Sequence, residues 1–188
     1  MALASGTGSL LFPVATGGAS GGGNIMSLAT NGTISVAAAL GGTLGTTPDG
    51  ALLSSGANFY GVTAKGGASS RGTMFRYTPA SGGALVVAYS TSAGSLAEGP
   101  LVAGTGGFFY GIGREGGASS RGAIYKVTVT GTRTRVISFT GTAGVAPGGK
   151  PRGALVLAAD GNFYGLTQSG GPGGYGTAFK MTPEGALT

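Results

Sequence analysis

Residues 66–72 read GGASSRG, and residues 116–122 read GGASSRG again. A glycine-rich phrase used twice is either a phosphate-cradling loop or one turn of a structural repeat, and its flanks decide between them. The first copy follows NFYGVTAK (58–65) and precedes TMFRYT (73–78); the second follows FFYGIGRE (108–115) and precedes AIYKVT (123–128). Each copy therefore joins an aromatic-rich run to a run of alternating apolar and polar residues, the pattern of a half-buried strand. The phosphate reading fails on the same residues. The Gly-Lys-Ser/Thr ending is missing, and a strand follows where a phosphate loop opens onto a helix N-terminus. The phrase is a hairpin loop in a repeat.

Aligning the last glycine of the phrase brings out four units, anchored at Gly23, Gly72, Gly122 and Gly176 and spaced by 49, 50 and 54 residues. The fourth reads NFYGLTQSGGPGGYGTAFKMTPEGALT (162–188), and a degraded first copy reads LLFPVATGGASGGGNIMSLATNGTISVAAAL (10–40). Each unit resolves into four short strands, a to d. Strand a is a small, apolar run: GALLSS (50–55), PLVAGT (100–105) and ALVLAAD (154–160), with the segment Ala2–Ser5 in the first unit. Strand b carries the aromatic pair, strand c alternates, and strand d is LVVAYS (85–90) or RVISF (135–139). Asp49 and Asp160 each precede a glycine and read as formers of the a–b turn. No stretch has capped helical periodicity.

Four antiparallel strands per unit at this spacing are the mark of a β-propeller blade. The expected fold is all-β: a single domain holding a β-propeller-like array of four four-stranded antiparallel repeats, the last incomplete. The repeats run over approximately 2–48, 49–98, 99–152 and 153–188; a β-solenoid is the competing architecture. Aromatic residues at fixed register (Tyr60, Tyr110, Tyr164; Phe75, Tyr125, Phe179) are expected to pack between blades. The last unit stops at Ala186-Leu187-Thr188, where strand d should begin, and an unfinished blade leaves an open edge. The expectation is therefore no self-contained closed ring, but part of a longer polypeptide or a sheet completed by a neighbouring subunit.

Composition narrows the function. Of 188 residues 43 are glycine, yet 41% are apolar and only 9% charged, which excludes a disordered linker. The glycines do not recur at every third position, which excludes collagen. No apolar run is long enough for a membrane span, and MALASGTGSL lacks the basic and apolar regions of a leader. The chain has no cysteine and no histidine, so the usual zinc ligand sets and the Ser-His-Asp and Cys-His arrangements are ruled out. Five acidic residues are spread over the units without forming a repeated pair. No enzymatic activity, cofactor or metal is expected.

Binding is the better candidate. Net charge is +6, which suits acidic partners, but the cations are scattered singly with no basic run, the pattern of a modest solubilising excess and not of a nucleic-acid surface. Arg71 and Arg121 hold the same loop position, with Tyr175 at the corresponding place in the fourth unit; Arg76, Lys126 and Lys180 recur on strand c. A ring of arginine forks with an exposed aromatic suits a sugar carrying carboxylate or sulfate. The competing reading makes the tyrosines inter-blade core and the cations solvated edges.

The consensus DGNFYG-T-x-GG-x4-G-T-x-F-K-x-TP resembles the tandem repeat of Gloeobacter and Verrucomicrobia, a choice-of-anchor type. It spans almost the whole chain. The likeness is closest in the fourth copy, through Asp160-Gly161-Asn162-Phe163-Tyr164-Gly165, Gly170-Gly171, Gly176-Thr177, Phe179-Lys180 and Thr182-Pro183. The first copy departs most, with Leu11-Phe12-Pro13 in place of Phe-Tyr-Gly, as an end-capping repeat would. The resemblance implies export, cell-surface anchoring, a propeller-like fold and no catalytic residues. Two functions follow: a structural or scaffolding module that contacts other protein chains, or a lectin-like domain for acidic extracellular polysaccharide.

Overall fold

The computed structural model describes residues 4–6, 8–18, 21–88 and 95–188. Among the described residues the chain is all-β apart from two short 3-10 turns, and its strands form four separate antiparallel sheets. Sheet I contains β1 (Ala4–Gly6), β2 (Ser9–Val14), β3 (Asn24–Ala29) and β4 (Ile34–Ala39). Sheet II contains β5 (Thr46–Ser55), β6 (Asn58–Lys65), β7 (Thr73–Thr78) and β8 (Gly82–Ala88). Sheet III contains β9 (Ser95–Ala103), β10 (Phe108–Glu115), β11 (Ala123–Thr128) and β12 (Arg133–Ser138). Sheet IV contains β13 (Gly149–Leu157), β14 (Phe163–Ser169) and β15 (Thr177–Met181). Each sheet is a meander in which consecutive strands pair.

The hairpin of strands b and c follows the alternation read from the sequence. Phe59 faces Tyr77 and Val62 faces Met74 in sheet II; Phe109 faces Val127 and Ile112 faces Ile124 in sheet III. The c–d pairing slips at one place in three sheets, between Ile25 and Met26, Met74 and Phe75, and Ile124 and Tyr125. A bulge repeated at one register adds the same local twist to each sheet. Tyr89 and Ser90, expected to end strand d of the second unit, lie outside the described residues, as do Ala2 and Leu3 of the first strand a.

Strand a departs from expectation. It begins before its apolar run, at Thr46, Ser95 and Gly149, and bulges in its middle. Asp49 is consequently not a turn residue: it lies within β5 opposite Val62, and the turn to β6 is made at Gly56-Ala57. The small residues around the bulge carry no alternation, so the sequence concealed the strand's first half. Asp160 does form its turn, where its carboxylate accepts the backbone N–H of Asn162 at 3.1 Å. In the fourth unit Leu187 bridges to Met181, and Thr188 exchanges two backbone hydrogen bonds with Lys180. The first residues of a strand d are thus already in register.

Packing runs from each sheet to the next. On sheet II, Tyr60, Val62 and Met74 project from one side, called here the leading face, onto Leu101, Phe109, Tyr125 and Val127 of sheet III. Tyr110, Ile112 and Ile124 of sheet III pack in the same way onto Leu155, Phe163, Phe179 and Met181 of sheet IV. Leu11 and Ile25 of sheet I do so onto Leu52, Phe59, Phe75 and Tyr77 of sheet II. The opposite, trailing face of each later sheet is therefore covered by the sheet before it. Tyr60 meets Phe109 with ring centroids 4.7 Å apart, and Tyr110 meets Phe163 at 4.2 Å. Each such side chain contributes about 1.5–3 kcal/mol by leaving water.

Candidate functional site

The glycine loop has one frame in all four units. In sheet II the N–H of Ser70 reaches the carbonyl of Gly67 and the N–H of Gly72 reaches Gly66; the same pair of bonds joins Ser120 to Gly117 and Gly122 to Gly116. Gly21 and Gly174 take the serine's place in the outer sheets. The fifth loop position is left-handed throughout, at φ +66° for Gly21, +52° for Ser70, +53° for Ser120 and +78° for Gly174. The closing glycines have φ +98°, +91°, +96° and +100° in chain order. Backbone conformation fixes the loop, and in sheets II to IV the residues between its glycines, Ala68-Ser69, Ala118-Ser119 and Pro172-Gly173, are exposed.

Arg71, Arg121 and Tyr175 hold the sixth loop position. Arg71 is paired across the seam with Glu115 of the next sheet at 3.9 Å, an exposed contact. Arg121 is anchored through its carbonyl, which accepts the N–H of Lys150 at 2.7 Å. In sheet I the carbonyl of Gly22 takes the N–H of Thr47 in the same way. Thr47 and Lys150 both adopt left-handed backbone (φ +57° and +51°) to make this bond. Tyr175 is 95% exposed.

The strand-c cations belong elsewhere. Arg76, Lys126 and Lys180 stand opposite Tyr60, Tyr110 and Tyr164 in the b–c ladder, four residues past the closing glycine. That is about 13 Å along a strand, so the loop residues and strand-c cations form two separate groups. Lys126 lies over the ring of Phe108 at 4.8 Å. Lys180 bonds Asp160 at 3.1 Å, and Tyr164 donates to the same carboxylate at 2.9 Å. The Asn162 backbone N–H, with Lys180 next, holds the Asp160 carboxyl well below the usual range, and Asp160 in turn raises Lys180.

A polar seam that the sequence did not reveal joins sheets III and IV. Glu98 receives Arg114 and Arg152, each at 3.7 Å, and Gln168 accepts from the same two arginines. One sheet earlier, Asp49 accepts the N–H of Gly99 at 3.3 Å. Asp49, Glu98 and Arg152 each precede a glycine in strand a. That shared position was the available signal, and reading Asp49 as a turn former obscured it.

The tyrosines divide. Tyr60 and Tyr110 are 3% and 1% exposed, as inter-sheet core; burial, then Glu184, raises the Tyr110 phenol above its ordinary value, and its hydroxyl donates to the carbonyl of Pro183 at 3.1 Å. Tyr164, at the same register, is 38% exposed. Around it Leu166 is 61% exposed, whereas the matching Val62 and Ile112 are buried, and Val156 is 59% exposed, whereas the matching Leu53 and Val102 are half-buried. These residues line a shallow groove of about 260 Å³. Phe75, Tyr125 and Phe179 are all buried between sheets as expected.

The trailing face of sheet I is the counterpart. Leu10, Phe12, Met26 and Leu28 are half-buried there, and Ile34 and Val36 are exposed beside them. Leu10 and Leu28 line a groove of about 500 Å³. A capping repeat carries a polar outer face. This one is apolar, so the end-capping expectation does not describe it.

Among the described residues no group of acidic side chains is clustered to hold a metal ion, and no helix is long and apolar enough to cross a membrane. No curated protein matches the chain. A solved structure that it resembles is a structural-genomics protein of unknown function from Bacteroides thetaiotaomicron VPI-5482. The TM-score is 0.62 at 15% identity, over 99% of this chain and 42% of that one. The likeness is one of fold, and this chain spans less than half of that protein's length. The Gloeobacter/Verrucomicrobia repeat profile matches residues 2–150, which take in sheets I to III. Sheet IV follows with the same b–c register and the same loop bonds. The chain belongs to the Gloeobacter/Verrucomicrobia repeat family.

Proposed function

We propose that this chain is a non-enzymatic structural module of the cell surface, whose β-propeller-like array of sheets assembles with other protein chains through its uncovered faces. One observation carries the reading. The leading face of sheet IV bears Tyr164 and Leu166 in the open, at registers where sheets II and III are buried under a following repeat, and beside them Val156, whose counterparts Leu53 and Val102 are partly buried against that repeat. Exposed apolar patches of this kind mark interaction surfaces.

A chain extension tests it. Leu187 and Thr188 pair with Met181 and Lys180 as Arg133 and Thr134 pair with Val127 and Lys126. A copy of residues 135–188 appended after Thr188 therefore continues strand d in register and supplies a further sheet. Leu166→Lys should be nearly neutral in the 188-residue chain at high dilution, where each molecule stands alone. In the extended chain the same substitution should cost about 3 kcal/mol, as burying an unpaired cation does. Equal melting effects in the two chains would refute the reading.

A second reading rests on the loops, where one backbone frame presents Arg71, Arg121 and Tyr175 on successive sheets. It makes the module lectin-like for acidic polysaccharide. A glycan array decides it: binding to sulfated or uronic-acid glycans that disappears in the Arg71→Ala/Arg121→Ala variant supports this reading, and an empty array removes it.

A further inference from the structure

We infer that the uncovered leading face of sheet IV is covered by the trailing face of sheet I from a second copy of this chain, a front-to-rear contact. The inference rests on the assembly reading above and names its partner.

The molecule itself specifies what fits a leading face. At each internal seam the residue at the Tyr60 register packs against the next sheet's first strand-b aromatic, Phe109 for Tyr60 and Phe163 for Tyr110. Register places Leu10 of sheet I at that same position, with Met26 at the position of Phe75 and Leu28 at that of Tyr77. Sheet I thus presents Leu10 and Met26 where each internal seam uses an aromatic ring, Leu28 where the seams use Tyr77, Val127 and Met181, and Phe12 where the later sheets have Gly61, Gly111 and Gly165, an apolar surface throughout. Sheet IV presents the tyrosine that they would receive.

Charge supports the same partner. Residues 1–48 contain no Asp, Glu, Lys or Arg, although the trailing face of sheet I is open. A face kept in water usually carries charge. An uncharged apolar face opposite a half-exposed tyrosine, leucine and valine is what an interface core requires.

Strand a adds a geometric argument. Gly50 and Gly99 have φ +76° and +73°, and a Cβ on either would stand 2.3 Å from Pro100 N or 2.0 Å from the Gly153 carbonyl of the following sheet. Gly153, at φ +77°, has nothing within 4 Å of its Cβ position. The close-approach site is built a third time and left vacant. Because the two faces differ, the contact is heterologous, and each copy retains one face of each kind until a ring closes.

The test uses two single variants of the full chain, Leu166→Lys on the leading face and Val36→Lys on the trailing face. Val156→Lys and Ile34→Lys serve as replacements should either fail to fold, as judged by circular dichroism. Sedimentation equilibrium should show wild type associating with rising concentration. Each variant alone should be monomeric, and an equimolar mixture of the two should form a one-to-one dimer through its remaining pair of intact faces. Loss of association in one variant but not the other, or a mixture that stays monomeric, overturns the front-to-rear contact. A wild type that remains monomeric also overturns it. The assembly reading is judged separately by the extended chain, which needs no second molecule.

Discussion

Gly99 and Gly153 form a matched pair, because their backbones are nearly the same (φ +73° and +77°) and only one has a neighbour. Replacing either with alanine incurs the penalty of left-handed backbone, about 1–2 kcal/mol, partly offset by the stiffer unfolded chain. Gly153→Ala should cost little else, since its Cβ would enter open space. Gly99→Ala would place a methyl group 2.0 Å from the carbonyl oxygen of Gly153. That is about 1.5 Å short of contact distance. The obstacle is backbone, so the two sheets must separate, and overpacking of this kind costs about 1–3 kcal/mol. Gly99→Ala should therefore be less stable than Gly153→Ala by about 2 kcal/mol, which is roughly 6 °C in Tm for a chain of this size. Urea denaturation at high dilution, with the m-value compared between variants, measures the difference. Equal midpoints for the two variants would refute the claim that strand a of one sheet is pressed against the backbone of the next.

Gly72→Val and Gly122→Val should each lower stability by about 3 kcal/mol in thermal denaturation, since both combine positive φ with a blocked Cβ position. Ser70→Gly and Ser120→Gly should be neutral or stabilising by about 0.5–1 kcal/mol in the same assay, because both serines are held left-handed. Tyr110→Phe removes the hydroxyl that donates to Pro183 and should cost about 1 kcal/mol by urea melt; Tyr110→Ala should cost about 3–5 kcal/mol. An NMR titration should find the Asp160 carboxyl ionising below the ordinary carboxylate range. A depressed folded pKa favours the native state above the ordinary value, and that contribution is lost as pH falls. Asp160→Asn should accordingly flatten the acid limb of the stability curve.

The strand-b and strand-c hairpins were legible because two forces wrote them at once. Val62 and Met74 must alternate with polar neighbours, and the loop glycines must carry positive φ, so pattern and punctuation agree. Strand a was half hidden. Around Asp49-Gly50 the pairing depends on a bulge and on close backbone approach, and neither needs a periodic side chain. Tyr60 and Tyr164 could not be told apart from sequence, since both occupy one register of one motif. Their exposure is decided by whether another sheet follows, which is a property of the stack. The loop cations were located correctly as a repeated position, but their partners were not foreseen. Arg71 meets Glu115 of the next unit, far from it in sequence, and no local pattern encodes that contact.

The loop frame carries a consequence for how such chains change over generations. Its shape is held by main-chain bonds from Ser70 to Gly67 and from Gly72 to Gly66, so the letters at 68, 69 and 71 have no part in holding it. The chain already exhibits this freedom: the same positions spell Ala, Ser and Arg in two units and Pro, Gly and Tyr in a third. Mutations there are sheltered from the demands of folding, and recognition can drift in one unit while its neighbours keep their old vocabulary. A library randomised at those three sites in sheets II to IV should express at parental yield, and the loop row would then serve as a display surface whose specificity is rewritten one repeat at a time.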